Sequence, residues 1–263
     1  MAHRLLIMRL RIIIVAIVAL LPAAVYGADL SGRDVIMRMF MARAQGSDDA
    51  ISVFRLDLAS RDGGQVTRTV ATYRKQCGEQ WKNLVVFRAP ADVAGAALLT
   101  SSHPDRADDM WVYLPELGRV RQVNASTRGE TFMGTDFSYE DLGAITVDAR
   151  QHRLAAEGTI EGEEVYKVQS TPTGTDAYGK VLTWVSRRTF LPVEIDYYDQ
   201  VGALLKSGHF RDVREVKGIP TPFAIEIENV ETGHRTLLTL LEADYHRGLD
   251  CELFNTRHLT RAP

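Results

Sequence analysis

The sequence lacks the signatures that most hydrolases, nucleotide-binding enzymes and thiol oxidoreductases carry. Its 263 residues contain no GxSxG nucleophile turn, no HExxH metal motif, no phosphate-binding glycine-rich loop and no CxxC pair. The seven histidines are scattered without metal-ligand spacing. The residues therefore predict a protein without a catalytic centre or a cofactor.

An excess of positive charge is also absent. The chain has 31 Lys and Arg against 34 Asp and Glu. A nucleic-acid-binding protein needs a basic face for the phosphate backbone. The composition therefore argues against that class of function.

Long apolar runs are absent beyond the amino terminus. There, His3, Arg4, Arg9 and Arg11 precede the run IIIVAIVALLPAAVYG, which ends in small residues. This pattern predicts a secretory signal peptide over residues 1–27, with an uncleaved anchor as the alternative. Residues 28–263 are then expected to form a single exported domain, negatively charged once the signal is removed.

Cysteine is scarce, with Cys77 and Cys251 as the two examples. An oxidising compartment permits a disulfide between them. Spacing alone does not establish that they are close enough to pair.

One helix is expected near the start of this domain. Ser31 and Asp34 form a capping-box pattern ahead of apolar residues at helical spacing. Its apolar residues include Val35, Ile36, Met37, Met39, Phe40 and Met41. From residue 50 onward, short alternating runs such as VFRLDLAS and PFAIEIENV are separated by turn signals such as RDGG and ETGH. This succession predicts an antiparallel β architecture with a helix against it.

Two polar clusters are candidate binding sites. His103, Asp105, Asp108 and Asp109 offer metal-type ligands, although a polar loop between strands is the plainer interpretation. The basic cluster Arg119, Arg121 and Arg128 could contact an anionic headgroup or an acidic partner, or be a solvated sheet face.

The more unusual feature is apolar. MWVYLP (110–115) has apolar residues on both faces of a strand, which indicates cover on both sides. GETFMGTDFSYEDL (129–142) is rich in aromatic residues but reads as a loop. These segments and the Met-rich helix either form ordinary core or line a cavity. The predicted cavity and lid residues are Met37, Phe40, Met41, Trp111, Tyr113, Phe132, Met133, Phe137 and Tyr139.

The run DDMWVYLPELGRVRQVNASTRGETFMGTDFSYEDL resembles the outer-membrane lipoprotein-sorting protein-like family of the LolA/LolB-like superfamily. The run LPVEIDYYDQVGALLKSGHFRDVREVKGIPTP fits the same family. The resemblance implies an incomplete, strongly curved antiparallel β-barrel of about eleven strands with helices plugging its open side. It also implies a periplasmic protein that binds the acyl chains of a lipid or lipoprotein, and an RND-type inner-membrane exporter as partner.

Within that picture the aromatic segment is expected to act as a lid. Phe132, Met133, Phe137 and Tyr139 would face the apolar pocket, whereas Glu140 and Asp141 would face water. Gly129 and Gly134 would let the segment bend. A carrier would make transient membrane contact and needs no cofactor. The alternatives are a lipid-sensing module that transfers no cargo, and an enzyme centred on the acids of residues 103–109.

Overall fold

The computed structural model of this protein describes residues 30–44, 47–103, 106–143 and 147–261. These residues form one α-helix and thirteen β-strands, with short 3₁₀ turns between them. The helix α1 is Gly32–Ala44, and the strands are β1 Asp49–Ala59, β2 Gln65–Cys77, β3 Gln80–Ala89, β4 Ala97–Ser101, β5 Asp109–Leu114, β6 Arg119–Gln122, β7 Arg150–Ile160, β8 Glu163–Pro172, β9 Lys180–Ser186, β10 Pro192–Tyr198, β11 Leu204–Val216, β12 Ile219–Asn229 and β13 Arg235–Tyr245. The signal peptide predicted for residues 1–27 lies outside the described residues.

All thirteen strands belong to one antiparallel sheet. Its order is β6-β5-β4-β3-β2-β1-β13-β12-β11-β10-β9-β8-β7, so each strand pairs with its sequence neighbour except where β1 meets β13. The edge strands β6 and β7 do not pair with each other, and the sheet is therefore not closed into a barrel. The predicted antiparallel β architecture is confirmed. The predicted count of eleven strands is wrong, because the chain contributes six strands before the β6–β7 connection and seven after it.

The helix α1 forms where the capping pattern predicts it. The carboxylate of Asp34 accepts hydrogen bonds from the backbone N–H and the hydroxyl of Ser31, and Ser31 Oγ accepts one from the Asp34 N–H. A Cβ on Gly32 would lie 2.6 Å from the backbone of β7, so glycine lets the first turn sit directly on that strand. The prediction of several helices is wrong for the described residues, which contain one α-helix. No helix in this part of the chain is long and apolar enough to span a membrane.

The helix and the segment 128–143 lie on the same face of the sheet, which we call the inner face. Val168 packs in the cluster beneath α1, and Leu58 packs in the cluster beneath Phe132. Directly paired residues of antiparallel strands share a face. An unbroken series of such pairs joins the two clusters through Val168, Thr183, Ile195, Gly208, Ile227, Thr236 and Leu58.

The carboxyl-terminal segment 249–261 covers the opposite, outer face. Phe254 and Leu259 are almost fully buried there against apolar side chains of β2, β3 and β4, including Tyr73, Leu84 and Leu99. Strands β2 to β5 are therefore covered on both faces, which explains why the MWVYLP strand is apolar on both.

Two anchors hold the start of this carboxyl-terminal cover. The fully buried carboxylate of Asp49 accepts hydrogen bonds from the backbone N–H groups of Arg247, at 2.6 Å, and Leu249, at 2.7 Å. Cys77 and Cys251 form a disulfide across a sequence separation of 174 residues. The sequence did not establish whether these cysteines pair, and the structure shows that they do. The disulfide fixes the cover to the β2–β3 hairpin.

We expect the Cys77→Ala/Cys251→Ala variant to unfold with about 2–5 kcal/mol less free energy than the parent, because the crosslink restricts a long loop in the unfolded chain. Guanidinium titration followed by tryptophan fluorescence measures the difference. Reducing agent should reproduce the loss in the parent and have no effect on the variant. An unchanged midpoint in the variant would show that the Asp49 bonds and the packing of Phe254 and Leu259 hold the cover without the crosslink.

Candidate functional site

Residues 128–143, called the strap here, fold into a compact irregular hairpin. Its two arms are joined by Phe132 N–H to Phe137 carbonyl (2.8 Å), Tyr139 N–H to Glu130 carbonyl (3.1 Å) and Glu140 N–H to Arg128 carbonyl (2.8 Å). The tip turns at Met133 and Gly134, with φ angles of 53° and 68°. The predicted bend at Gly134 is therefore present, and it uses a left-handed conformation that favours glycine.

The apolar side of the strap forms the roof of a small pocket on the inner face. Phe132 is buried and contacts Phe87 with ring centroids 5.6 Å apart, and Tyr139 contacts Phe132 at 5.4 Å. The pocket has a volume of about 70 Å³. Its floor comes from β1, β2, β3 and β13, and its roof comes from Phe132, Thr135, Phe137 and Leu142.

Polar bonds hold the strap tip on the sheet. Asp136 accepts hydrogen bonds from the Thr236 hydroxyl, at 2.7 Å, and lies 2.7 Å from His234 Nδ1. The Asp136 N–H donates back to Thr236 Oγ1 at 3.0 Å. A guanidinium nitrogen of Arg68 donates to the Met133 carbonyl. These bonds place the tip over β2 and β13.

A buried lysine holds the second arm of the strap. Lys206 Nζ donates to the Asp136 carbonyl at 3.0 Å and forms an ion pair with Asp141. The two side chains are 9% and 6% exposed. Tyr178 donates to the other oxygen of Asp141 at 2.8 Å, and the ammonium lies 5.3 Å from the centre of its ring. The buried pair is therefore fully partnered, which a buried charge requires.

Two arginines hold the base of the strap. Arg128 is paired with Asp108 at 2.6 Å and with Glu140 at 3.4 Å. Arg150, the first residue of β7, is paired with Asp176 at 2.7 Å and reaches Glu140 at 3.7 Å. Glu140 thus lies between two guanidinium groups that come from the two halves of the chain.

The electrostatics of these contacts reflect burial. Burial and the neighbouring Asp176 raise the pKa of Glu140, while Arg128 and Arg150 oppose that rise. Burial, followed by the charge of Asp141, raises the pKa of Tyr178, so its phenol remains a hydrogen-bond donor at neutral pH. The strap is consequently held by charged groups in a largely dry environment.

Between α1 and the strap the inner face stays partly open. The series of paired residues Phe210, Ile225, Leu238 and Leu56 shows that these side chains share the face beneath the strap. Phe223, two residues before Ile225, has the same orientation. This part of the sheet, which we call the trough, is floored by half-buried apolar side chains: Ile195, Phe210, Phe223, Ile225 and Leu238.

The predicted cavity residues separate into three places. Phe132 and Phe137 line the strap pocket, and Met133 and Tyr139 pack on the same cluster. Met37 packs beneath α1 with the separate cluster around Val168. Phe40 is half-buried and Met41 is 41% exposed on the same helix.

Trp111 and Tyr113 correct the prediction that one cavity collects all these residues. They pack on the outer face with the cluster that contains Phe254, whereas Val112 and Leu114 face the strap. Both faces of β5 are apolar, so alternation alone did not indicate which face was inner.

The charged residues of the strap correct a second prediction. Glu140 and Asp141 were expected to face water, but both are paired beneath the strap. Arg128, expected to contact a headgroup, is also committed to these pairs. Arg119 and Arg121 are exposed on the edge strand β6 and remain available for the predicted contact.

The acids of residues 103–109 are engaged in ion pairs. His103 Nε2 lies 2.8 Å from Asp109, which is also 2.6 Å from Arg106. The Arg106 and His103 contacts lower the pKa of Asp109 to about 2, although burial opposes them. Asp108 pairs with Arg128. Asp105 lies outside the described residues, and no metal-ligating group of three or more His, Cys, Asp or Glu occurs among those described.

The same architecture occurs in proteins of known structure. A family model with the description "Uncharacterized protein" matches residues 79–261. A DUF1329 family protein from Desulfovibrio piger is 30% identical, with a TM-score of 0.81, over 87% of this chain and 97% of that one. This chain belongs to the DUF1329 family. No curated protein matches it.

Two further solved structures relate the DUF1329 family to lipoprotein-sorting folds. A putative outer membrane lipoprotein-sorting protein domain from Vibrio parahaemolyticus is 28% identical, with a TM-score of 0.82, over 88% of this chain and 98% of that one. A LolA superfamily protein from Nitrosomonas europaea is 19% identical, with a TM-score of 0.70, over 87% and 99%. The second likeness shows the shared fold, and the resemblance predicted from the sequence is confirmed.

We expect Lys206→Met to loosen the strap, because it keeps the aliphatic chain but leaves the buried Asp141 carboxylate without its cation. Breaking a buried pair in this way costs about 3–5 kcal/mol. Hydrogen exchange should therefore accelerate at the strap amides of residues 132–142.

Lys217→Met is the matched control, since its pair with Asp244 is solvent-exposed, at 53% and 40%. It should cost at most about 1 kcal/mol and leave strap exchange unchanged. Equal exchange rates in the two variants would show that the strap is held in place without the Lys206–Asp141 pair.

Proposed function

We propose that this protein is a non-enzymatic periplasmic carrier that binds the acyl chains of a lipid or lipoprotein between the inner face and the strap. It takes cargo at one membrane and releases it at another, with an RND-type inner-membrane transporter as its partner. The strap acts as the movable cover of the binding site.

The observation that carries this proposal is an apolar pocket under a roof held in place by polar bonds. The pocket, at about 70 Å³, is well below the roughly 300–1,000 Å³ typical of ligand sites. It adjoins the trough, whose apolar side chains are only half-buried. Lifting the strap would join the two and expose the apolar faces of Phe132 and Phe137 to an incoming chain.

The energetics suit a carrier. Burying a methylene contributes about 0.8 kcal/mol, so a long acyl chain represents on the order of 10 kcal/mol of apolar surface to shield from water. The half-buried floor supplies such surface, and the Met133 side chain adapts readily to different shapes. Buried ion pairs fix the position of the strap without a large net gain in stability. A closed strap of that kind can open when cargo competes for its apolar contacts.

The relatives support the same class of function. The name of the Vibrio parahaemolyticus domain refers to outer-membrane lipoprotein sorting, and its chain is covered almost completely. The exposed Arg119 and Arg121 on edge strand β6 suit contact with an anionic headgroup or an acidic partner surface.

We expect protein purified from the periplasm without detergent to carry a co-purifying lipid in native mass spectrometry and to take up a fluorescent fatty acid. Phe137→Ala should weaken uptake by on the order of 10-fold to 100-fold, the effect of losing one aromatic side chain's apolar contact. Trp111→Ala, on the outer face, is the matched control and should leave affinity per folded molecule unchanged.

Detection of the apo mass alone, together with no uptake of the fluorescent fatty acid, would overturn the proposal. If Phe137→Ala lowers stability while the folded fraction keeps its affinity, Phe137 is ordinary core and the strap is not the cover. Donor and acceptor vesicles test transfer: delivery of bound lipid supports a carrier, whereas binding without delivery indicates a sensing module.

A further inference from the structure

A second and larger concavity lies away from the strap, at the other end of β11 and β12. Its volume is about 680 Å³, within the range of sites that hold whole ligands. Three elements surround it: α1, the β9–β10 turn and the β11–β12 turn. Its lining is Arg38, Ala42, Arg188, Thr189, Phe190, Leu191, Glu215, Gly218, Ile219 and Pro220. We call it the cleft.

The cleft combines apolar walls with an exposed guanidinium, that of Arg38. The Arg38 guanidinium lies over the Phe190 ring, 5.3 Å from its centre. The charge of the exposed Asp34, one turn earlier on α1, acts on Arg38, but among the described residues Arg38 makes no hydrogen bond or ion pair. Its N–H donors are therefore free for a ligand. Arg188 adds a second guanidinium that is 71% exposed and lies 3.5 Å from Glu163. Glu215 is the one carboxylate among the lining residues.

The nearby Arg214 differs from Arg38 in this respect. It lies over the Phe223 ring at 4.4 Å, but Asp212 binds it through both carboxylate oxygens. Its charge is therefore already compensated. Within the described part of the chain, Arg38 in the cleft lacks a bonded carboxylate, whereas Arg214 beside the trough floor has one.

Strand β12 connects the cleft to the trough. β12 runs from Ile219 in the cleft to Phe223 and Ile225 in the trough floor. At roughly 3.3 Å per residue, the six steps from Ile219 to Ile225 span about 20 Å, a length comparable to an extended acyl chain. A molecule with one charged end and one apolar end can therefore occupy both regions at once.

We propose that the cleft binds the anionic headgroup of an amphiphilic lipid, through Arg38 with help from Arg188, while its acyl chain lies along the trough towards the strap. This inference rests on the proposed function and adds the chemical class of the cargo and its orientation. A guanidinium stacked on an aromatic ring keeps its edge free, and that edge matches the oxygens of a phosphate or carboxylate.

The test compares two lipids that differ in one phosphate. Lysophosphatidic acid and the monoacylglycerol with the same acyl chain are titrated against the full protein by isothermal calorimetry. We expect the parent to bind the phosphate-bearing lipid about tenfold more tightly, as a charge-assisted contact provides. Arg38→Gln should remove most of this preference and leave the monoacylglycerol affinity unchanged.

Two variants control for the charge itself. Arg211→Gln removes an exposed guanidinium that pairs with Glu226 at 3.7 Å and lies outside the cleft lining, and it should retain the preference. Glu215→Gln removes the cleft carboxylate and should increase the preference severalfold. Raising the salt concentration to 0.5 M should reduce the preference in the parent, because the cleft is open to solvent.

The outcomes separate this inference from the proposed function. Failure of the parent to bind either lipid would overturn both. Binding of both lipids with equal affinity would retain the lipid-binding function and overturn the assignment of the cleft. A preference that Arg38→Gln and Arg188→Gln leave intact, but that Arg119→Gln or Arg121→Gln abolishes, would move the headgroup site to edge strand β6.

Discussion

The open edges of the sheet are the constraint from which the other features follow. Thirteen strands pair in sequence, but β6 and β7 do not meet, so the inner face cannot bury its apolar side chains by closing on itself. Separate elements must cover that face. Helix α1 covers the β7–β9 end through Val35, Ile36 and Met39, and the strap covers the region over β1 to β4. The trough is the part of the inner face that neither element covers.

The cover of the outer face is fixed by a covalent bond. The carboxyl-terminal segment is buried against it, bonded to Asp49 and crosslinked through Cys77 and Cys251. The strap carries no covalent link. It is held by noncovalent bonds of Lys206, Arg68, Arg128 and Arg150. Under the proposed function, the outer cover provides stability and the inner one can change position, because buried ion pairs contribute little net stability.

Local patterns in the sequence predicted the local structure well. The Ser31 and Asp34 capping pattern identified α1, and alternating apolar residues identified the antiparallel architecture. What they did not predict depends on contacts between distant residues. Asp141 is polar in a polar stretch, and only its partner Lys206, 65 residues later, explains its burial. The signal that could have revealed this pair was Lys206 itself, a cation on the apolar-facing side of β11.

The strap pocket illustrates the same division. Phe132 and Phe137 were identified by their composition and by the family resemblance, and both line the pocket. Trp111 and Tyr113 were assigned to the wrong face, because a strand that is covered on both sides carries no sign of which cover is the movable one. Pairing register, which the sequence does not specify, settles the question: Trp111 pairs with Leu99 and Tyr113 with Ala97, both on the outer face.

The half-buried floor of the trough is a compromise that suits the proposed lipid carrier. A fully exposed apolar surface of acyl-chain length would promote association between copies of the protein. A fully buried one would have to unfold before it could bind. Side chains such as Phe210 and Ile225 are half-buried, so the exposed apolar area is kept small. In the proposed carrier, binding displaces one uncrosslinked hairpin and leaves the thirteen-stranded sheet unchanged, so uptake and release would not depend on the stability of the fold.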